Sequence, residues 1–559
     1  MKRKIDPIKS EVIARFLLAT AEEMAATLMR TAFSPNIKER ADCSTAIFDV
    51  AGEVIALAQR VPIHLGSMVG AVAEILKRFP MSEILPGDMF VANDPYNGGG
   101  THLPDINVIA PVFKGKKIIA FVANIAHHAD VGGMVPGSEA AVCKSIYQEG
   151  LRIPPVRIMR AGWVNRDVVD IILLNSRTPD ERVGDLNAQF AANTVGARSV
   201  LQLFDRYGLK ETQEAIAGYL DFTEKRFRAA INKLPPGCYV AEDYLDGNHE
   251  GETCAIKLTL TIAKGNKGRM DFDFTGSGKQ LESARNIPYR ALLATVYTVA
   301  KAMLDPEVPA NAGYYRTLHI KAPPGCVVGP VPPAAIGCRS ISASVLGDVI
   351  ANALSQAMPD KALAGSGPHH LFVLSGTDPR TGVYFVDYET VAGGMGARAN
   401  RDGVDGVRVH ASGSSNLPSE ALEHAYPFRV ERYALWDESS GPGQYRGGAG
   451  VVRDYRVLAD DIVVSLSSER QHVASPGMAG GGSGACGRFV LNPDTPLERV
   501  LPSAAADIPL PRGSVLRICT PGGAGYGDAK QRTISAVQKD VVEGRISPDY
   551  ASRMYLEGS

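Results

Sequence analysis

In the stretch GGGTHLPDINV, residues 98–108, His102 stands three residues before Asp105, behind three glycines and across a proline. Imidazoles and carboxylates brought together suit a borderline divalent cation, zinc first, or manganese and iron when more oxygen ligands join. Pro104 bars a helical path and biases Leu103 toward an extended conformation, so the two side chains can converge from a turn. The glycines at 98, 99 and 100 allow close backbone approach. Two further histidines, His127 and His128, end the run KIIAFVANIAHH.

Position has to bring these residues together. DINVIAPVF and KIIAFVANIAHH are apolar and β-rich and flank Lys114, Gly115 and Lys116, which predicts a hairpin. Pairing residues whose numbers sum to about 230 sets Asp105 opposite Ile125 and His102 opposite His128, within a residue or two of register. The open end then gathers His102, Asp105, His127 and His128. His127 and His128 alternate in a strand, so one ion does not take both. Asp42, at the mouth of an earlier hairpin in CSTAIFDVAGEVIALA, is a further candidate carboxylate. The competing reading is ordinary: a lone histidine in a loop is most often a hydrogen-bonded structural residue.

Elsewhere the apolar spacing predicts a helix over 8–32, another from Gly66 that ends before Pro80 and a short strand in GDMFVAND. Residues 164–232 read as helical with a break near Gly208. From Pro235 the period becomes two: Ile256, Leu258, Leu260 and Ile262 alternate with polar residues, as do Met270, Phe272 and Phe274. Helices are expected over 288–303, 341–357 and 532–543. The expectation is a mixed, multi-layer α+β fold in three parts: a hairpin-rich metal-binding region with a helical segment over 1–234, a central α+β region over 235–426, and a β-rich, glycine-punctuated region over 427–559.

With 559 residues, 45% hydrophobic and 21% charged, the chain can bury large cores and shows no sign of disorder. Its 59 basic and 60 acidic residues nearly cancel and form no long run of like charge, which argues against nucleic acid as a partner. MKRKIDPIKS breaks at Asp6-Pro7 before any apolar core of a leader, and no stretch approaches the roughly 20 apolar residues of a membrane span. A cytoplasmic protein is expected. Eight cysteines without a CxxC pair predict reduced thiols.

Other motifs point to less. DVGGM, residues 130–134, has the acidic, glycine-rich look of a phosphate loop but ends in methionine, and G-x-x-x-x-G-K-[ST] is absent. No serine sits in a G-x-S-x-G elbow. Cys43 beside Asp42 reads as a buried thiol rather than a nucleophile. The C-terminal clusters GQYRGGAGVV, GMAGGGSGACGR and TPGGAGYGD read as tight turns between strands, with anion nests as the alternative.

Taken together, GDMFVANDPYNGGGTHLPD followed by NIAHHADVGGMVPGS resembles the core motif of the hydantoinase B/oxoprolinase family. That family holds the B-type subunits of ATP-dependent hydantoinases and lactamases, the C-terminal half of 5-oxoprolinase and subunits of acetone-type carboxylases. ERADCSTAIFD, GPVPPAAIG, GQYRGGAGVVR and TPGGAGYGD extend the likeness over essentially the whole chain, while ASPGMAGGGSGACGR keeps the glycine rhythm with altered flanks.

The resemblance implies one divalent ion on Asp42, His102, Asp105 and His127, with His128 and Asp130 close by as candidates for proton transfer or for support of the ligands. It also implies an A-type partner with an actin-like ATPase fold that uses the ATP, in a hetero-oligomer such as a heterotetramer. The partner would phosphorylate the amide oxygen of a small cyclic amide, and this chain would open the ring with a water whose pKa the ion lowers. The alternatives are a subunit of a ketone carboxylase and a non-catalytic scaffold. A scaffold would be expected to lose ligand residues, and this chain keeps all four.

Overall fold

The computed structural model describes residues 6–58, 60–249, 251–263, 268–410 and 412–556. It is an α+β fold built on four sheets. The first has seven strands: β1 Cys43–Phe48, β2 Val54–Ala58, β3 Met89–Ala92, β4 Asp105–Lys114, β5 Lys117–His127, β6 Val156–Arg160 and β7 Trp163–Val164. Their order is β2-β1-β5-β4-β3-β6-β7, so the hairpin β4–β5 is central and β1 lies against its outer strand. β1, β2, β3 and most of β4 and β5 are buried on both faces, which is why they read as near-continuous apolar runs.

The helix Pro7–Thr31 covers one side. Asp6 caps it by accepting from the Ile8 amide at 3.0 Å, Pro7 sits where no amide is needed, and Ile13, Leu17, Ala21, Met24 and Leu28 form its buried stripe. The helix predicted from Gly66 to before Pro80 is two pieces, His64–Met68 and Ala71–Arg78, broken at Gly70 with φ 79°. The helical segment over 164–232 is three helices, Arg166–Leu174, Pro179–Tyr207 and Leu209–Ile231; the break at Gly208 is present, and a second precedes Pro179.

The second sheet, β8 Gly237–Asp246, β9 Thr253–Ala263, β10 Arg269–Asp273 and β11 Leu318–Lys321, shows the alternating burial expected of the period-two runs. The helices Tyr289–Leu304 and Arg339–Ala357 pack on each other, and the latter also lies along β8 and β9. The remaining strands are β12 His370–Thr377, β13 Tyr384–Val391, β14 Phe428–Leu435, β15 Val451–Val457, β16 Ile462–Ser467, β17 Arg488–Leu491, β18 Arg499–Leu501, β19 Ala504–Leu510 and β20 Val515–Cys519. They form two sheets, β13-β12-β16-β19 and β14-β15-β20-β17-β18. The hairpin β12–β13 has no counterpart in the sequence reading. The helix expected over 532–543 is Ile534–Val542, capped by Thr533, and a short helix Pro548–Ala551 follows it.

One buried cluster runs from Ile13 to Ala357 and a second from Phe372 to Ile518. A smaller one, including Ala140, Cys338, Ile341, Leu371 and Tyr388, joins residues from both stretches of chain.

The C-terminal glycines differ from the turns expected of them. In GQYRGGAGVV none has a positive φ, and in the other two clusters only Gly480 and Gly527 do. They lie in threads outside the strands that hydrogen-bond one another: Gly367 to Gly394 O at 2.8 Å, Gly394 to Pro521 O at 3.0 Å, Gly448 to Met395 O at 2.8 Å, Gly523 to Gly448 O at 2.9 Å and Gly482 to Pro442 O at 2.7 Å. Glycine is needed because backbones touch. A Cβ at Gly447 would stand 1.9 Å from Gly523 O, and one at Gly522 1.8 Å from Ser439 O. The amides of Gly447, Gly448, Gly482, Gly522, Gly523 and Gly525 donate to carbonyls of the threads, so these glycines are not anion nests.

Candidate metal centre

The centre forms at one end of the first sheet. In the β4–β5 hairpin Asp105 pairs with His127, two residues from the register expected: the turn pairs Lys114 with Lys117, one place off, and a bulge at Val112 and Phe113 shifts the ladder by one more. On the other side of β5, Cys43 pairs with Ala126, which brings Asp42 to the same end, where its carbonyl accepts from the His127 amide at 3.0 Å. Three adjacent strands thus deliver Asp42, His127 and Asp105. The turn before β4 returns His102, whose Nε2 lies 3.2 Å from Asp105 Oδ1.

Two residues that sequence reasoning missed complete the cluster. Glu139 Oε1 is 2.8 Å from His102 Nδ1 and 2.9 Å from His127 Nε2. His64 Nε2 lies 3.5 Å from Asp105 Oδ1 and 3.7 Å from Asp42 Oδ1, and its Nδ1 is 3.1 Å from Ser44 Oγ. All six side chains are buried. Among the described residues His102, His127 and Glu139 offer ligand atoms within 4.8 Å of one another.

The surroundings fix these groups. Asn36 Nδ2 donates to the His127 carbonyl at 2.8 Å and lies 2.9 Å from its Nδ1. The Gly337 carbonyl is 3.0 Å from His102 Nδ1. Asp105 Oδ2 accepts from Thr101 Oγ1 at 2.8 Å and from Arg339 Nη2 at 3.0 Å. The Tyr388 ring packs on His127 with centroids 4.4 Å apart, and its hydroxyl is 3.5 Å from Glu139 Oε2.

Burial and Arg339 work against protonation of His102, but Asp105 and Glu139 overcome them and hold its pKa up at about 9. Burial opposes ionisation of Glu139, yet His102 and His127 bring it down to about 2. Asp105 is likewise held well below the usual carboxylate range by His102 and Arg339 against its burial.

An ion fits this set. His102 Nε2 and Asp105 Oδ1 are buried and face each other at 3.2 Å without hydrogen-bond geometry, so a cation bound by both can take the place of the proton that otherwise pairs them. Two imidazoles with two or three carboxylates are ordinary company for zinc, manganese or iron.

His128 and Asp130 are placed differently. His128 points to the other face of the chain, with Nε2 3.0 Å from Gln189 Oε1, and burial and Arg182 bring its pKa down to about 4. The Asp130 carboxylate accepts from the amides of Gly132, Gly137 and Arg177 and from Arg177 Nη1, between 2.9 and 3.0 Å. It anchors the glycine loop that leads to Glu139. Cys43 is buried and its thiol is pushed up to about 12 by that burial, which leaves it inert at neutral pH.

The hydantoinase B/oxoprolinase family model matches residues 6–529. The chain belongs to this family. It is 33% identical to the B-type subunit of a putative D-/L-hydantoinase of Pseudomonas sp. (strain NS671), over 98% of this chain and 94% of that one. It is 32% identical to a 5-oxoprolinase of Dictyostelium discoideum, over 94% of this chain but 40% of that longer protein. The crystal structure of an ATP-dependent caprolactamase from Pseudomonas jessenii superposes with a TM-score of 0.90 at 27% identity, over 99% of this chain and 96% of that one. Among the described residues no helix is long and apolar enough to cross a membrane.

Proposed function

We propose that this chain is the metal-bearing, hydrolytic subunit of an ATP-dependent cyclic amidase, working in the cytoplasm with an A-type ATPase subunit in a hetero-oligomer such as a heterotetramer. Hydantoin, 5-oxoproline and caprolactam, the rings in the relatives' names, share a cyclic amide. The observation that carries the reading is the buried, unsatisfied pair His102 Nε2 and Asp105 Oδ1 inside a six-residue cluster of histidines and carboxylates.

Asp42, His102, Asp105 and His127 would hold the ion, with Glu139 as a fifth donor between the two imidazoles. When bound, the ion supplies Lewis acidity and a lowered water pKa, together worth several kcal/mol. Arg339 and Thr101 occupy one oxygen of Asp105 and leave the other facing inward. Asn36 orients the His127 ring, and Tyr388 covers it and excludes water. Asp130, through the glycine loop, positions Glu139; His128 supports β5 against Gln189.

An amide resists attack because of its resonance, so prior phosphorylation of its oxygen by the partner makes that oxygen a leaving group. No phosphate-cradling motif is present here, which matches a division of labour. The test is co-expression with the A-type subunit, following phosphate release and ring opening. ATP-dependent ring opening by the pair and none by either chain alone is expected. Substrate-dependent ATP hydrolysis by this chain alone contradicts the reading, and a bicarbonate-dependent product assigns it to the carboxylase alternative.

A further inference from the structure

Beside the centre lie two arginines that make no ion pair among the described residues. Arg40, only 1% exposed, donates from Nε to Ser415 O at 3.2 Å, from Nη1 to Tyr388 O and from Nη2 to Thr390 Oγ1. Arg408 donates from Nε to Ser412 Oγ at 2.8 Å and from Nη1 to Thr390 Oγ1 and to Ser414 Oγ and O at 2.7 and 3.1 Å. Both therefore meet at one hydroxyl. Neither has a carboxylate within ion-pair distance among the described residues, and Arg408 Nη2 makes no hydrogen bond there.

The nearby acids do not fill this role. Asp387 and Glu389 alternate with Tyr388 and Thr390 along β13; Glu389 Oε2 lies 3.8 Å from Arg453 Nη1, and Asp387, on which both Arg40 and Arg453 act, makes no ion pair with Arg40 among the described residues. Asp42 belongs to the metal cluster. The Arg40 guanidinium packs over the Tyr388 ring at 5.2 Å, and that ring packs on His127, so the arginines sit one aromatic layer from the centre. Burial and the neighbouring Arg40 draw Arg408 down to about 10.

Arg40 is buried and Arg408 half-buried, and holding guanidinium groups out of water with no carboxylate in ion-pair distance is costly unless an anion joins them. We infer that Arg408, supported by Arg40 through Thr390, forms an anion subsite beside the metal centre that takes a phosphoryl oxyanion. It is the phosphoryl group of an activated substrate or the inorganic phosphate released from it. A guanidinium edge presents paired donors to such oxygens. The inference deepens the proposed function and rests on it for the source of the anion.

The test is calorimetric titration of the metal-loaded full chain with inorganic phosphate and, separately, methyl phosphate, whose phosphoryl group sits on a carbon-bound oxygen. Arg408→Gln is expected to weaken binding at least about tenfold with metal content unchanged and the chain still folded, and Arg408→Lys about threefold. Tighter methyl phosphate assigns the subsite to the activated substrate, and tighter inorganic phosphate to the product. Equal affinity in wild type and Arg408→Gln, or acetate binding as tightly as phosphate, overturns the inference. Should Arg408→Gln not fold, unchanged affinity in Arg408→Lys overturns it in its place. Loss of phosphate binding in a chain whose complex opens no ring would leave the subsite standing and remove the amidase reading, whereas ring opening without Arg408-dependent binding would do the reverse.

Discussion

The end of the first sheet and the C-terminal glycine threads solve opposite problems. At the sheet end, β1, β5 and β4 set backbone in register so that side chains meet: Asp42, His127 and Asp105 converge because of pairing, and His102, His64 and Glu139 close on them. In the threads, backbones meet because side chains are missing, and Gly394, Gly447, Gly522 and Gly523 let carbonyls approach where a Cβ would collide. One region concentrates chemistry at the expense of polar groups left unsatisfied, whereas the other satisfies its amides with neighbouring carbonyls. Substitutions should therefore strike function in the first region and folding in the second.

The largest expected effect is on catalysis. His127→Ala should lower ring opening by roughly a thousandfold or more, about 4 kcal/mol of barrier, while the assembled complex still turns over some ATP without matching product. Phosphate and product measured in the same reaction check this, and a one-to-one ratio at the normal rate would place the hydrolytic step elsewhere.

Next comes Gly447→Ala. Its methyl would stand 1.9 Å from Gly523 O, a backbone atom that cannot swing aside, so a stability loss of about 3 kcal/mol or more is expected in denaturant unfolding. A loss below about 1 kcal/mol would show that the threads can spread.

Asn36→Ala sharpens the contrast from the other side. It frees the His127 ring and should weaken metal affinity about tenfold to a hundredfold, with little change in the fold, as read by competition with a chelating dye. Unchanged affinity would make Asn36 a purely structural partner.

The smallest effect belongs to Gly513, where a Cβ meets open space and only its φ of 86° disfavours a side chain. Gly513→Ala should cost about 1–2 kcal/mol, less than Gly447→Ala. The reverse order would mean that backbone conformation, and not close approach, is what the glycines provide.

Much of the sheet end was legible because hairpins obey local rules. Two β-rich runs around Lys114 and Gly115 fix a partner for each residue, and the difference of two places comes half from the turn, which pairs Lys114 with Lys117, and half from a bulge that composition does not announce. His64 and Glu139 escaped because they arrive from elsewhere. His64 opens a short helix after a separate loop, and Glu139 follows a glycine loop whose path Asp130 sets by hydrogen bonds. A buried carboxylate just past that loop was the available signal. Tyr388 comes with the β12–β13 hairpin, whose runs lie between glycine-rich stretches and carry no motif that ties them to the sheet end. The threads were misread for a deeper reason. Glycine clusters favour turns locally, but the contacts that define these threads join residues 367, 394, 448 and 521, and nothing in a short window shows such pairing.

The most direct measurement is the metal content of the purified chain beside two variants, His102→Ala and His128→Ala. About one divalent ion per chain is expected in the wild type. His128→Ala should keep it, because that ring faces Gln189, and His102→Ala should lose it. An ion retained in full by His102→Ala, or a wild-type chain that binds none when divalent metals are supplied, would contradict the assignment of the sheet end as a metal centre.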